Sequence, residues 1–211
     1  MSLFGFSFVY MVRMGTAVYS FSIQVPAEAQ ELARGLRRRD PDLLDRLIEQ
    51  YQYRLFRYLL YLTASRQNAE DLFQETWFRV LERGHQYDGS SRFETWLFAI
   101  ARHLVIDWQR QAKAKSLDAL SEPEERRKPL EIEAADPSPL DLISRHEEEG
   151  RVQASLHRLP GVYREVLLLR FQEELGLEEI AAVLSAPVST VKSRLYRGLE
   201  ALRELLEGKS A

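Results

Sequence analysis

The feature that most constrains the fold is a helical spacing of apolar residues in two stretches of the chain. From Pro26 to about Lys115, and again from Val152 to Leu206, apolar residues recur three and four positions apart. That spacing places them on one face of an α-helix, and no stretch of useful length alternates as a half-buried strand does. The sequence therefore predicts an all-α fold.

The two helical stretches are separated by a segment of different character. Residues 115–150 contain prolines and many charges with little periodicity, which is typical of a linker. We therefore predict two small helical domains, residues 26–114 and 151–211, joined by a flexible linker. Residues 1–25 are predicted to be an N-terminal extension, either disordered or the product of a start codon assigned too early. They lack the basic start of an export signal, so we expect a cytoplasmic protein.

Composition excludes several classes of function. The 211 residues contain no cysteine and have a formal net charge of -3, so neither a thiolate metal site nor a global attraction to nucleic acid is expected. The four histidines are scattered, and no phosphate-binding glycine loop occurs. We predict no catalytic residues, no metal, no other cofactor and no small-molecule substrate. The enzyme alternative is a metal-dependent hydrolase that uses the glutamate run at residues 147–149.

The C-terminal stretch contains two helical segments separated by a proline. The first runs from Glu178 to Leu184 and ends at Ser185-Ala186-Pro187, because the residue before a proline is disfavoured in a helix. Ser189 is predicted to cap the second helix. A short helix, a tight turn and a longer helix with a basic outer face are typical of a helix-turn-helix.

The outer face of the second helix combines basic and hydroxyl side chains, which neutralise phosphates and donate to base edges. The alternative is a helical hairpin whose basic face contacts only solvent. The predicted DNA contacts are Ser189, Thr190, Lys192, Ser193, Arg194, Tyr196 and Arg197. The stripe predicted to be buried behind them is Val191, Leu195, Leu199, Leu202 and Leu206.

The C-terminal stretch resembles region 4 of the bacterial sigma-70 family, particularly its extracytoplasmic-function (ECF) group. The residues that carry the resemblance are Leu159-Pro160, Arg164-Glu165-Val166, Glu179-Ile180-Ala181 and Thr190-Val191-Lys192-Ser193-Arg194. In that family this helix-turn-helix binds the minus-thirty-five promoter element and the domain contacts the β flap of the polymerase. Gly198 stands where the family usually has alanine.

The N-terminal stretch resembles region 2 of the same family through Ala69-Glu70-Asp71 and Gln74-Glu75-Thr76. The resemblance implies a helix that docks on the clamp helices of the polymerase β′ subunit, with an acidic face exposed only to solvent as the alternative. The predicted polymerase-binding residues are Asp71, Gln74, Glu75 and Arg79.

In the resembled family, the next loop and helix engage the minus-ten element and capture a flipped base. Here the loop is Gln86 to Arg92, followed by a helix to about Gln111 with a predicted core stripe of Phe93, Trp96, Leu97, Ile100, Leu104 and Trp108. Glu94, which replaces a usual basic residue, is left out because its carboxylate would repel phosphate. The predicted minus-ten contacts are Tyr87, Ser90, Ser91, Arg92, Arg102, Gln109, Arg110 and Lys113, with Tyr87 as a base-stacking residue.

Together these features predict an ECF-type sigma factor. Its expected partners are core RNA polymerase, promoter DNA and an anti-sigma factor. The alternative is a one-component helix-turn-helix regulator, which would share the C-terminal domain but leave the region 2 resemblance without a role.

Overall fold

The computed structural model describes residues 27–118, 152 and 154–207, and within these residues the chain forms helices and no strand. They divide into two compact units, one containing the described residues up to 118 and the other containing most of those from 152 onward. The predicted all-α, two-domain fold is thus confirmed. The predicted extension, residues 1–25, and nearly all of the predicted linker lie outside the described residues.

The N-terminal domain is built from α1 (Ala27–Arg38), α2 (Pro41–Thr63), α3 (Arg66–Arg83) and α4 (Phe93–Asp118). A 3-10 turn, Gly84–Gln86, follows α3 directly. Helices α2, α3 and α4 pack on one another, and α1 packs against the 3-10 turn. In the core, the rings of Tyr58 and Phe98 meet edge to face with their centroids 5.1 Å apart.

The starts of α2 and α3 are set by side chains that cap free backbone amides. The carboxylate of Asp40 accepts from the N–H groups of Asp42 and Leu43 at 3.1 and 3.3 Å, as predicted for a helix with Pro41 in its first position. The apolar spacing of the sequence predicts a start of α3 at Asn68 or Ala69, which is wrong by two or three residues. The Ser65 hydroxyl caps that helix by accepting from the Asn68 N–H, so it begins at Arg66.

Helix α4 differs from its predicted form in length and in its buried face. It continues to Asp118, beyond the predicted end near Gln111, because residues 112–117 contain no helix breaker. Phe93 and Leu97 are buried as predicted, and the rest of the core face is formed by Phe98, Ala101 and Val105. The other members of the predicted stripe are only half-buried: Trp96, Ile100, Leu104 and Trp108.

The C-terminal domain contains α5 (Gly161–Leu167), α6 (Leu177–Leu184) and α7 (Val188–Leu206). A π-helical turn, Leu168–Gln172, continues α5, and α5 packs on α7. The guanidinium of Arg164 donates to the backbone oxygens of Leu156, His157 and Leu159 at 2.6 to 3.0 Å. Arg164, part of the region 4 resemblance, therefore caps the end of the preceding helical segment by donating to its carbonyls.

Helix α7 packs closely against α5 at Gly198. The residue is buried, and a methyl group added to its Cα would lie 3.2 Å from Tyr163 Cβ and 3.4 Å from two side-chain carbons of Leu167. The glycine that departs from the family pattern therefore occupies a close helix crossing, where its absent side chain offsets its poor helix propensity.

We predict that Gly198→Val lowers the free energy of unfolding by about 2 kcal/mol, because a branched side chain cannot fit between α7 and α5. Gly198→Ala should stay within about 1 kcal/mol of the parent, since improved helix propensity offsets the crowding of one methyl group. The measurement is urea unfolding followed by circular dichroism. Glu200→Val, at an exposed position of the same helix, is the control for the propensity of valine. A Gly198→Val protein as stable as the control would contradict the close crossing.

Candidate functional site

The turn between α6 and α7 has the geometry expected of a helix-turn-helix. Ser185 closes α6 in the left-handed conformation, with a φ of 48°, and the Ala186 N–H donates to the Ala181 carbonyl at 3.0 Å. The prediction that Ser189 caps α7 is wrong. Pro187 precedes the helix, no side chain caps it, and the Pro187 carbonyl accepts from Thr190 and Val191.

The predicted DNA-binding residues of α7 lie opposite its buried face. Val191, Leu195, Gly198 and Leu202 are buried, whereas Leu199 and Leu206 of the predicted stripe are half-buried. Thr190 and Arg194 are half-exposed at the flanks. The exposed members are Ser189, Lys192, Ser193, Tyr196 and Arg197. We call these seven residues the α7 front.

The cations of the α7 front are not neutralised by neighbours. Within the described part of the chain, Lys192, Arg194 and Arg197 form no ion pair with a carboxylate. Farther along the same helix, by contrast, Arg203 is held by Glu207 at 2.9 Å. The first half of α7 therefore presents positive charge to a ligand, while its last turn does not.

Helix α3 exposes a second surface of different chemistry. Asp71 and Gln74 are exposed, and the side chains of Glu75 and Arg79 are 40% and 33% exposed. Arg79 is held by Glu75 at 2.8 Å and by Glu82 at 2.9 Å, and the hydrogen bond that Arg79 donates to Glu82 is the main reason that the Arg79 pKa is raised. Because both of its neighbours are acidic, the surface carries net negative charge.

Two large apolar side chains of this surface were not predicted. Phe78 is 59% exposed and Leu81 is 45% exposed. Phe78 lies four residues after Gln74 and three after Glu75, which places it on the same helical face. We call Asp71, Gln74, Glu75, Phe78 and Leu81 the α3 outer face. The sequence contained the signal, since both apolar residues fall outside the inward spacing of Leu72, Thr76 and Val80.

The loop between α3 and α4, residues 84–92, is anchored by Tyr87. This ring is 2% exposed, lies edge to face with Phe93 at 5.8 Å and contacts Trp96 at 5.3 Å. Its hydroxyl donates to the Ser91 carbonyl at 2.6 Å, and burial raises its pKa to about 12. The predicted base-stacking role of Tyr87 is contradicted by this burial, because neither ring face is available to a base.

Ser90 remains at the exposed tip of the loop. Its N–H donates to the Asp88 carboxylate at 2.8 Å, and the hydrogen bond from its hydroxyl is the main cause of the lowered pKa of Asp88. Ser91 is half-exposed. The Asp88 carboxylate therefore fixes the backbone at the tip and orients Ser90.

Arg92 closes the loop through Glu94, whose side chain is only 14% exposed and lies 3.1 Å from the guanidinium. Burial alone would raise the pKa of Glu94, but it is lowered by a backbone hydrogen bond, by the charge of Arg92 and by hydrogen bonds from Arg92 and Tyr51. The Tyr51 pKa is raised, first by burial and then by Glu94. Glu94 thus joins α2, the loop and α4, which agrees with its exclusion from the DNA contacts.

The remaining predicted minus-ten residues share one face of α4. Arg102 is half-exposed, and Gln109, Arg110 and Lys113 are exposed at positions seven, eight and eleven residues later. Arg110 lies 3.8 Å from Asp107 in a pair that is mostly in water, which contributes little. The α4 basic face therefore offers cations along two to three helical turns.

Two negative findings concern only the described residues. No group of three or more acidic or histidine side chains in them could hold a metal ion. None of the helices formed by residues 27–118 and 154–207 combines the length and apolarity needed to cross a membrane.

Comparison with known proteins gives consistent matches across both domains. A family model for Sigma-70 region 2 matches residues 47–115, and one for Sigma-70 region 4 matches residues 149–202. The chain is 33% identical to the ECF RNA polymerase sigma factor SigW of Bacillus subtilis, over 79% of this chain and 90% of that protein. It is 32% identical to SigX of the same organism, over 76% of this chain and 82% of that protein.

A solved structure shows the same fold. The sigma factor RpoE of Bartonella quintana, determined in complex with the anti-sigma factor NepR, superposes with a TM-score of 0.64 at 24% sequence identity. The match covers 77% of this chain and 96% of that one.

Proposed function

This chain belongs to the ECF sigma factors of bacterial RNA polymerase, and from that premise we propose how its surfaces divide the work of such a protein. A sigma factor binds core polymerase and directs it to promoters. We assign the α3 outer face to the clamp helices of the β′ subunit, and the loop with the α4 basic face to the minus-ten element. The α7 front is assigned to the minus-thirty-five element, and the C-terminal domain also meets the β flap.

The observation that supports this division is the separation of charge. On the α7 front three cations have no ion pair among the described residues, whereas on α3 the cation predicted to bind polymerase, Arg79, is held between two glutamates. An acidic helix with an exposed Phe78 repels phosphate but suits a protein partner, because buried aromatic side chains dominate protein interfaces. The α7 front has the opposite character and suits nucleic acid.

For the minus-ten element, the proposed contacts keep every exposed or half-exposed member of the predicted set, including Ser91, and omit only the buried Tyr87. Ser90 lies at the tip of a loop whose backbone is held in place, so it is the proposed base-reading residue. Arg92, together with the cations of the α4 basic face, is assigned to phosphates. The phosphate and polar contacts on α4 are Arg102, Gln109, Arg110 and Lys113.

The segment after α4 is proposed to tether the two DNA-binding domains. With one domain bound to DNA, the tether keeps the other at high effective concentration near its own element. This lets two weak contacts combine into stable promoter binding. The proposed domain limits stay at residues 26 and 211, but the linker is now proposed to begin after Asp118, where the helix ends.

We further propose that an anti-sigma factor covers these surfaces when the protein is inactive. The Bartonella quintana relative was solved with such a partner, and the exposed Phe78 and Leu81 form an apolar patch that a protein would bury. A protein that acts by assembling with polymerase needs no catalytic site of its own, so we propose that it is not an enzyme. Its place of action is then the cytoplasm, where polymerase is found.

The function is tested by transcription in vitro with purified bacterial core polymerase. The template is a promoter located by mapping transcription start sites after overproduction of the protein. We expect a specific transcript only when both proteins are present. A one-component regulator would give no transcript with core enzyme alone, and that outcome would refute the proposal.

We predict that Phe78→Ala and Glu75→Ala each weaken binding to core polymerase by roughly 10-fold, about 1.4 kcal/mol, because each removes part of the α3 outer face. The affinity is measured by fluorescence anisotropy of labelled protein. Matched controls are Tyr53→Ala, which removes an aromatic ring that is 80% exposed on α2, and Glu49→Ala on the same helix. Equal losses in the controls would refute the assignment of α3.

We predict that Arg197→Ala weakens binding to a minus-thirty-five duplex by roughly 1–3 kcal/mol while leaving core affinity unchanged. Arg203→Ala is the matched control, since it lies on the same helix but pairs with Glu207. DNA affinity is measured by anisotropy at fixed salt. If both variants bind DNA equally well, the α7 front is not the contact surface.

A further inference from the structure

Helix α1 precedes the segment matched by the region 2 family model and is packed against the loop proposed to read the minus-ten element. A methyl group added at Gly84 would lie 3.3 Å from Leu36 Cβ. One added at Gly89, whose φ is 76°, would lie 2.8 Å from the Ala29 carbonyl oxygen. The loop therefore runs alongside α1 from Gly84, which contacts the last turn, to Gly89, which contacts the first turn.

The face of α1 that points to solvent is strongly basic. Arg34, Arg37 and Arg38 are exposed at positions four, seven and eight residues after Gln30, and Arg39 follows the helix. The Nε groups of Arg34 and Arg37 donate only to carbonyls of their own helix, at 3.4 and 3.2 Å. We call Arg34, Arg37 and Arg38 the α1 basic face.

No carboxylate of the described residues forms an ion pair with these three arginines. Favourable interaction with the helix dipole accounts for cations in the last turn, where Arg37 and Arg38 lie. It does not account for Arg34, one turn earlier. Three cations that form no ion pair among the described residues therefore lie on one exposed helical face, where they are available to an anionic ligand.

The α1 basic face lies on a helix that packs along the loop, with its last turn on Gly84 and its first turn on Gly89. Gly89 is packed on α1, and the neighbouring Asp88 has its pKa lowered mainly by Ser90 and to a smaller degree by the charge of Arg37. Arg37 is therefore close enough to Asp88 to interact with it electrostatically. A nucleic acid whose base is held at Ser90 would bring its phosphates within reach of α1.

We propose that the α1 basic face binds the sugar-phosphate backbone of promoter DNA beside the base held by the loop. The proposal rests on the assignment of the loop to the minus-ten element. The contact is to phosphates only, so it adds affinity without sequence preference. Because the loop is packed on α1, each cation is held at a fixed position relative to the base-reading residue.

The test compares Arg34→Gln/Arg38→Gln holoenzyme with the parent holoenzyme on a promoter fragment whose minus-ten region is unpaired. This pair leaves Arg37, and hence the environment of Asp88, intact. Loss of two phosphate contacts should reduce the slope of log affinity against log salt concentration by about 1.5. Affinity should then be roughly 15-fold weaker at 0.15 M salt and equal to the parent near 1 M.

Three controls complete the design. Arg66→Gln/Arg203→Gln removes two exposed arginines that are already held in ion pairs, and should leave the slope unchanged. Arg34→Lys/Arg38→Lys keeps the charges and should restore most of the affinity, whereas a structural role would not be rescued. A base change in the minus-ten element should reduce binding by the same factor in the parent and the glutamine variant.

An unchanged salt slope for Arg34→Gln/Arg38→Gln would overturn the proposal. So would a loss confined to core polymerase binding, because the face would then be a protein contact. If the parent holoenzyme itself ignores the base change, the assignment of the loop has failed, which is distinguishable from failure of the α1 contact.

Discussion

The N-terminal domain depends on burial of Tyr87 within the loop that joins α3 to α4. A loop of polar residues would otherwise be mobile, since it has few apolar side chains to exclude from water. Here one aromatic ring is removed from solvent between Phe93 and Trp96, and its hydroxyl closes the loop on the Ser91 carbonyl. Glu94 adds a second restraint by joining α2 to the end of the loop. The polar tip is therefore presented from a fixed base.

Charge in this protein is organised by pairing. Although the formal net charge is -3, the chain contains both arginines that are ion-paired with glutamates and arginines that are not. Arg66, Arg79 and Arg203 lie within 3 Å of glutamates one helical turn away, so their fields are largely cancelled. The cations of the α1 basic face and the α7 front have no such neighbours among the described residues. Local fields of opposite sign thus arise on one chain without any global excess of either charge.

Helix positions and the outward residues of α7 could be read from sequence because both depend on local rules. The Asp40 cap, the Pro41 start and the break at Pro187 each act over a few residues, and a 3.6-residue period separates inner from outer positions. Resemblance supplied the family. The errors arose where tertiary contacts determine whether a side chain is buried. Tyr87 was predicted to bind a base because local rules could not show that Phe93 and Trp96, six and nine positions later, enclose its ring. Trp96 and Trp108 were predicted to be buried but are half-buried, because the core face of α4 is centred on Phe98 and Ala101. The packing of neighbouring helices determines that face.

Other misses have a similar cause. Ser65 lies three residues before Asn68, the earlier of the two predicted helix starts, so its capping role was visible only once the backbone was known. The position of α1 beside the loop depends on two glycines that let distant backbone segments approach. The residues around Gly84 and Gly89 in the sequence do not indicate that the segment they contact is α1. The exposure of Phe78, by contrast, could have been predicted from the sequence, because helical spacing alone places it on the same face as Gln74 and Glu75.

The contact at Gly198 separates two kinds of evolutionary change. The orientation of α7 depends on the contact of its buried side with α5, where Gly198 lies against Tyr163 and Leu167. No residue of the α7 front takes part in this contact. Substitutions on that front can therefore alter which promoters are read while the angle of the helix stays constant. A larger residue than glycine or alanine at position 198 would instead change the orientation of every reading residue at once, so divergence among paralogues is expected to accumulate on the front while the crossing keeps a small residue.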